Sequence, residues 1–273
     1  MNRFIKRGNA MKFDTEKLKA GIVNFFSDKK RRTRFIWISA VVLVLVILIV
    51  AAAIYLGDYY RADLDALSSF EPLATASVER WDDGTLVFKP DTPVAGLIFY
   101  PGGKVEYSAY SSLMAACSEW GILCVLIEMP FNLAVLDVNA ADGIAEKFPE
   151  IDSWYIGGHS LGGSMAADYL SRNSDKLDGL ILLGSYSTAD LCLCGVPVLS
   201  IYGSEDGVMN REKYSRYKTN LPQSFTEIII NGGNHSGFAS YGLQEGDGTS
   251  LIDPMGQIIL TAGYIAEFIT LNE

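Results

Sequence analysis

The chain has 273 residues, 49% of them hydrophobic, and a net charge of −10, so it is long enough for one large domain with a sizeable core plus an appendage. An acidic balance of this size argues against a nucleic-acid partner. Two histidines, four cysteines and no C-x-x-C give little support to a zinc site or a catalytic cysteine.

Residues 1–34 hold eleven basic and three acidic side chains, a net +8, which leaves −18 for the rest of the chain. Within this tail, Phe13, Leu18, Ile22 and Phe25 fall near one helical stripe among lysines, a pattern shared by an interfacial amphipathic helix and a disordered basic tail. No charged residue interrupts the stretch 35–56. At 1.5 Å per residue it reaches about 33 Å, enough for a bilayer core of roughly 30 Å. We therefore read 1–34 as a basic cytoplasmic tail and 35–57 as a transmembrane helix that makes the lipid bilayer a partner. A signal peptide, with Ala51, Ala52 and Ala53 as cleavage region, is the competing reading; it is disfavoured by the long apolar run and the long region before it. Lys29, Lys30, Arg31, Arg32 and Arg34 abut the span, and the positive-inside rule keeps them cytoplasmic and everything after Gly57 outside.

Residues 58–77 read as a stalk, and 78–273 as the globular domain. The domain opens on a hairpin, residues 78–81 and 85–89 about an Asp83-Gly84 turn. Apolar strands are expected at 94–100, 122–128, 154–156, 177–183, 197–202 and 225–230, and helices at 107–120, 138–148, 161–172 and 253–271. Asp253 can cap the last helix and Pro254 fits its first position. Continuous apolar strands alternating with helices predict an α/β fold, a mainly parallel sheet covered on both faces. The cysteines Cys117, Cys124, Cys192 and Cys194 fit free thiols better than two disulfides, the second pair being one residue apart.

In such a sheet, functional groups gather at the C-terminal strand ends. Pro101-Gly102-Gly103-Lys104 follows the first parallel strand, and Gly158-His159-Ser160-Leu161-Gly162 follows the third. Ser204-Glu205-Asp206-Gly207 and Gly232-Gly233-Asn234-His235 follow the last two strands. A lone G-x-S-x-G arises by chance in roughly one chain in ten of this length. Joined to three other strand ends in the order glycine loop, serine, acid, histidine, it reads as a nucleophile elbow with its partners.

Serine needs a base, and the base needs a carboxylate to fix its tautomer. His159 adjoins Ser160 and cannot easily turn back onto it, so His235 is the base. Asp206 is the preferred acid, with Asp190 and Glu205 as alternatives. Leu161 N–H supplies one oxyanion donor and Gly103 or Lys104 the other, with Gly103 preferred. Lys104 and Glu106 are expected at the mouth of the site.

These four motifs resemble the bacterial α/β-hydrolase family loosely related to dienelactone hydrolases, over about residues 81–268. The resemblance implies the hydrolase fold with a Ser160, Asp206 and His235 triad and no metal or organic cofactor. Dienelactone hydrolases proper use a cysteine nucleophile, so their substrate does not carry over. Only residues 184–196 separate two strands between which many lipases insert a lid, which points to a lidless, open site. The expectation is a membrane-anchored carboxylic ester hydrolase outside the cytoplasm, acting on a small ester or an acylated cell-surface substrate. An acyltransferase to a cell-surface acceptor, a peptidase and a non-catalytic binding module on the same fold are the rivals.

Overall fold

In the computed structural model, residues 15–17, 19, 21, 27–70, 76–223 and 225–272 are described. The stripe read at Phe13, Leu18, Ile22 and Phe25 lies outside them. The chain divides into two units, Met1–Tyr55 and Leu56–Glu273. Helix α1, Lys29–Gly57, contains the apolar run and buries none of its residues. Asp28 starts it by accepting Lys30 N–H at 2.9 Å, an N-terminal cap that satisfies an otherwise orphaned amide. By length and composition α1 could cross a membrane.

A short helix α2, Leu64–Phe70, precedes the sheet. Among the described residues eight strands follow: β1 Ser77–Arg80, β2 Leu86–Lys89, β3 Ala95–Tyr100, β4 Ile122–Leu126, β5 Trp154–His159, β6 Gly179–Leu183, β7 Val198–Gly203 and β8 Phe225–Ile230. Their spatial order is β1-β2-β4-β3-β5-β6-β7-β8. The β1–β2 and β2–β4 pairs are antiparallel, and every pair from β4 to β8 is parallel. This is the α/β-hydrolase architecture.

Alternation along the strands sorts the core into two layers. Leu97, Phe99, Tyr155, Ile181 and Leu199 face helices α3 (Ser111–Ser118) and α6 (Pro254–Asn272). Ile98, Tyr100, Ile156, Leu180 and Val198 face helix α4 (Leu161–Arg172) and residues 134–151. Although α6 is apolar enough to resemble a span, much of it is buried in the first layer, so it is a core helix. Asp253 caps it as expected, its Oδ2 accepting Gly256 N–H at 3.2 Å. All four cysteines are free thiols.

Three segments differ from the sequence reading. The helix expected at 138–148 is instead a chain of turns with one 3-10 turn at Ala145–Lys147. Gly143 sits at φ +74, outside helical space, and the buried Tyr100 hydroxyl donates to Val138 O and accepts from Ala141 N, replacing helical partners. Helix α5, Arg211–Tyr217, falls where no helix was expected; Asn210 caps it by accepting Lys213 N–H at 2.8 Å. Part of the stretch read as a stalk lies against the domain: Tyr60 forms a parallel bridge with Val105, and Asp63 N–H donates to Ser240 O at 2.8 Å.

Candidate active site

The four strand ends meet at one edge of the sheet. Between β5 and α4 the chain turns so sharply that Ser160 adopts φ 51, ψ −120, a conformation L-residues rarely occupy. Ser160 N–H donates to Leu183 O at 2.9 Å, and its own carbonyl accepts the Ser185 hydroxyl at 2.6 Å, which ties the elbow to the end of β6. The turn closes because Gly158 and Gly162 lack side chains. A Cβ on Gly158 would stand 2.6 Å from Gly163 N, and one on Gly162 would run into the Tyr100 and Pro101 carbonyls.

His235 Nδ1 and Asp206 Oδ2 are 2.8 Å apart, with the two side chains 1% and 0% exposed. Asp206 Oδ1 accepts Val208 N–H at 3.0 Å and Met209 N–H at 2.8 Å, so the carboxylate is held from both sides. Opposite an ionised Asp206, the ring proton sits on Nδ1 and the Nε2 lone pair is left for another partner. Among the described residues Nε2 is buried and has no hydrogen-bond partner, so the structure joins His235 to Asp206 but shows no bond from His235 to Ser160. Gly184, at φ +50, walls the pair: a Cβ there would lie 2.9 Å from His235 Nδ1 and 3.2 Å from Asp206 Oδ2. The alternative acids bond elsewhere. Asp190 accepts Cys192 N–H at 3.0 Å, and Glu205 accepts the Ser204 hydroxyl at 2.8 Å.

In the glycine loop, Gly102 N–H donates to the Tyr110 hydroxyl at 3.0 Å and Lys104 N–H to Asn132 O at 2.8 Å. Of the residues weighed as the second donor, Lys104 is thereby engaged, while Gly103 N–H has no partner among the described residues. Gly103 abuts Leu161, since a Cβ on it would stand 3.2 Å from Leu161 Cβ; the Leu161 amide opens α4 without an intrahelical acceptor. Of the mouth residues, Lys104 Nζ pairs with Asp58 at 2.9 Å and Glu106 accepts Ala62 N–H at 3.1 Å.

Three contributors were missed by the sequence reading. Tyr110 Oη lies 2.7 Å from His159 Nδ1, and the His159 ring stands 4.3 Å from that of His235. His159 thus turns under the site, away from the serine. Asp247 accepts His235 N–H at 3.2 Å, Gly207 N–H at 3.1 Å and Ser236 N–H at 2.7 Å, tying the acid turn to the histidine turn. An aspartate between Gly246 and Gly248 was the one local sign of this. Gly184 offered none.

A cavity of about 260 Å³ opens at Ser160, bordered by Leu161, Gly184, Tyr186 and Met209. A larger one, about 500 Å³, lies behind the histidine turn near Ser240 and Met255 and does not reach Ser160. Among the described residues, no three His, Cys, Asp or Glu side chains gather where a metal ion could be held.

Residues 96–258 match the model of a family described as "Alpha/beta hydrolase family". No curated protein matches the chain. Among solved structures it is similar to TT1662 from Thermus thermophilus, at 16% identity and TM-score 0.53, covering 72% of this chain and 97% of that one. A protein described as a predicted CIB-like hydrolase, from Thermoplasma acidophilum, matches at 16% identity and TM-score 0.51, covering 71% and 99%. The esterase domain of a Rhodothermus marinus protein matches at 10% identity and TM-score 0.52, covering 71% and 96%. At these identities the likeness is one of fold.

Proposed function

The chain belongs to the alpha/beta hydrolase family and is an enzyme of it, and from that premise we propose that it is a serine hydrolase cleaving a carboxylic ester through an acyl-enzyme. The observation that carries this is the buried His235–Asp206 pair, whose unpartnered Nε2 lies in the same strand-end site as the elbow serine. Ser160 Oγ attacks the acyl carbon as its proton passes to His235 Nε2. Gly103 and Leu161 amides hold the oxyanion. The carbon–oxygen bond to the alcohol then breaks, and the alcohol leaves with the proton from His235. Water, deprotonated by His235, attacks the acyl-enzyme, and the carboxylic acid departs as Ser160 regains its proton. A missing serine–histidine bond before substrate binds is common, since such contacts tighten in the complex.

The cavity of about 260 Å³ at Ser160 falls below the roughly 300–1,000 Å³ of pockets for drug-sized ligands, which favours a short acyl group. The charge step across α1, basic before and acidic after, supports a single-pass anchor with the N-terminus cytoplasmic and the domain outside. A fluorophosphonate probe is expected to label the protein, and Ser160→Ala to abolish labelling. Unchanged labelling of that variant refutes the assignment.

A further inference from the structure

We infer that the rim of the site beside the oxyanion loop is a lipid-facing surface, so that the ester attacked by Ser160 has its alcohol part held in a bilayer. This rests on the serine-hydrolase reading and on α1 being a membrane anchor. The residues that follow α1 are bound to the loop that carries Gly103. Asp58 pairs with Lys104 Nζ at 2.9 Å, Tyr60 N–H donates to Lys104 O at 2.8 Å, and Glu106 N–H donates to Tyr60 O at 2.8 Å. Three residues of chain reach at most roughly 10 Å, so the oxyanion loop stays that close to Gly57, where the apolar helix ends.

The same loop borders a set of apolar side chains turned outward. Phe131 is 63% exposed, Val135 52% and Leu136 55%, and their segment is held to Lys104 through its N–H bond to Asn132 O. Phe131 and Asn132 sit at φ 53 and φ 57, left-handed values that asparagine tolerates but that strain the bulky Phe131. Short-range bonds, Asn132 N–H to Met129 O and Leu136 N–H to Leu133 O, both 3.0 Å, and the buried Met129 and Ala134 fix the segment in this shape. The backbone is therefore strained in a loop that presents Phe131 to solvent instead of the core. In water those side chains stay hydrated; against lipid the same arrangement buries three apolar side chains.

Charge determines what kind of lipid contact this is. Everything after residue 34 carries −18, and Asp137 directly follows Leu136, so anionic headgroups repel this surface. The contact is apolar insertion, and it strengthens with salt and with neutral lipid.

The test uses the full chain in phosphatidylcholine nanodiscs. With Cys192→Ser and Cys194→Ser as background, Leu136→Cys and, as a remote control, Asp175→Cys are labelled with an environment-sensitive fluorophore. Brominated lipid is expected to quench the label at 136 and to leave the one at 175 unchanged; equal quenching at both positions overturns the proposal. This arm needs no turnover, so it separates the lipid surface from the hydrolase reading, which fails on its own if no ester is cleaved. In the second arm, Phe131→Asp with Leu136→Asp is expected to lower turnover of hexadecyl butyrate in the nanodisc by about tenfold or more, because two apolar side chains that lipid would bury become charged. The kcat/KM for soluble p-nitrophenyl butyrate stays unchanged. Equal losses on both esters, or none on either, overturn the proposal.

Discussion

Replacing Tyr110 with phenylalanine removes one oxygen and keeps the ring. That oxygen accepts Gly102 N–H at 3.0 Å and reaches His159 Nδ1 at 2.7 Å, and Tyr110 and His159 are both 0% exposed. Burial raises the phenol well above its ordinary range. Burial, and then the neighbouring His235, push the His159 imidazole well below 6.5. At neutral pH the phenol therefore donates to a neutral ring. Without the oxygen two buried polar groups lose their partner at about 1–3 kcal/mol each, partly offset because a hydroxyl is no longer buried; the net loss of stability is about 2–4 kcal/mol. Gly102 directly precedes the proposed oxyanion donor Gly103. Deleting such a donor lowers kcat by about 10²–10³, and displacing one by loosening its neighbour is expected to lower it about ten- to a hundredfold. KM changes little, because the donor matters most to the charge formed in the transition state. Urea melts of the full-length protein and steady-state kinetics on p-nitrophenyl butyrate measure both quantities. A wild-type urea midpoint refutes the buried hydrogen-bond chain, and lowered stability with wild-type kcat refutes its link to the oxyanion loop.

Gly184→Ala places a methyl group 2.9 Å from His235 Nδ1 at a φ of +50. The ring has to shift from Asp206, and displacement of a catalytic group by an ångström lowers turnover about a hundredfold; slower fluorophosphonate labelling of a still folded variant checks this, and wild-type labelling refutes it. For Asp247, burial raises the carboxyl pKa, but hydrogen bonds from Ser236 and from the Gly207 and His235 amides outweigh it and hold the group below 3.8. Its stabilisation is thus fully present above that value and lost as pH falls below it. Asp247→Asn is expected to lower stability by about 1–3 kcal/mol at neutral pH, with the difference closing as pH falls below 3.8; denaturant midpoints across pH test it, and a difference that grows in acid contradicts the sign.

The sheet and the four strand ends were legible because each is a local pattern. Apolar runs such as 94–100 mark strands buried on both faces, and the elbow shows as G-x-S-x-G within five residues; Gly158 is required by the Gly162 and Gly163 backbone beside it, although Gly162 is required by the distant Tyr100 and Pro101 carbonyls. The second layer of the site was not legible, because its contacts join distant parts of the chain. Tyr110 meets His159 across 49 positions, and Asp247 meets Gly207 across 40. The failed helix at 138–148 has the same cause: its apolar periodicity is real, but Tyr100, some 40 residues earlier, takes the backbone groups a helix would have used.

The short connection between β6 and β7 pointed, from the sequence, to a lidless, open site acting on a small ester or an acylated cell-surface substrate. That inference treated the site as free in solution. A lid brings an apolar cover to the substrate, whereas a site whose glycine loop is tied to the end of an anchor can bring itself to a lipid surface instead. Asp58 pairs with Lys104 and Tyr60 bridges to Val105, which joins the glycine loop to the residues that follow α1. The two sides of the scissile bond then face different demands. A cavity of about 260 Å³ at Ser160 limits the acyl group, while Phe131, Val135 and Leu136 beside the oxyanion loop favour an apolar alcohol. Under this reading the absent lid and the exposed apolar rim have one cause, because lipid covers what a lid would otherwise cover.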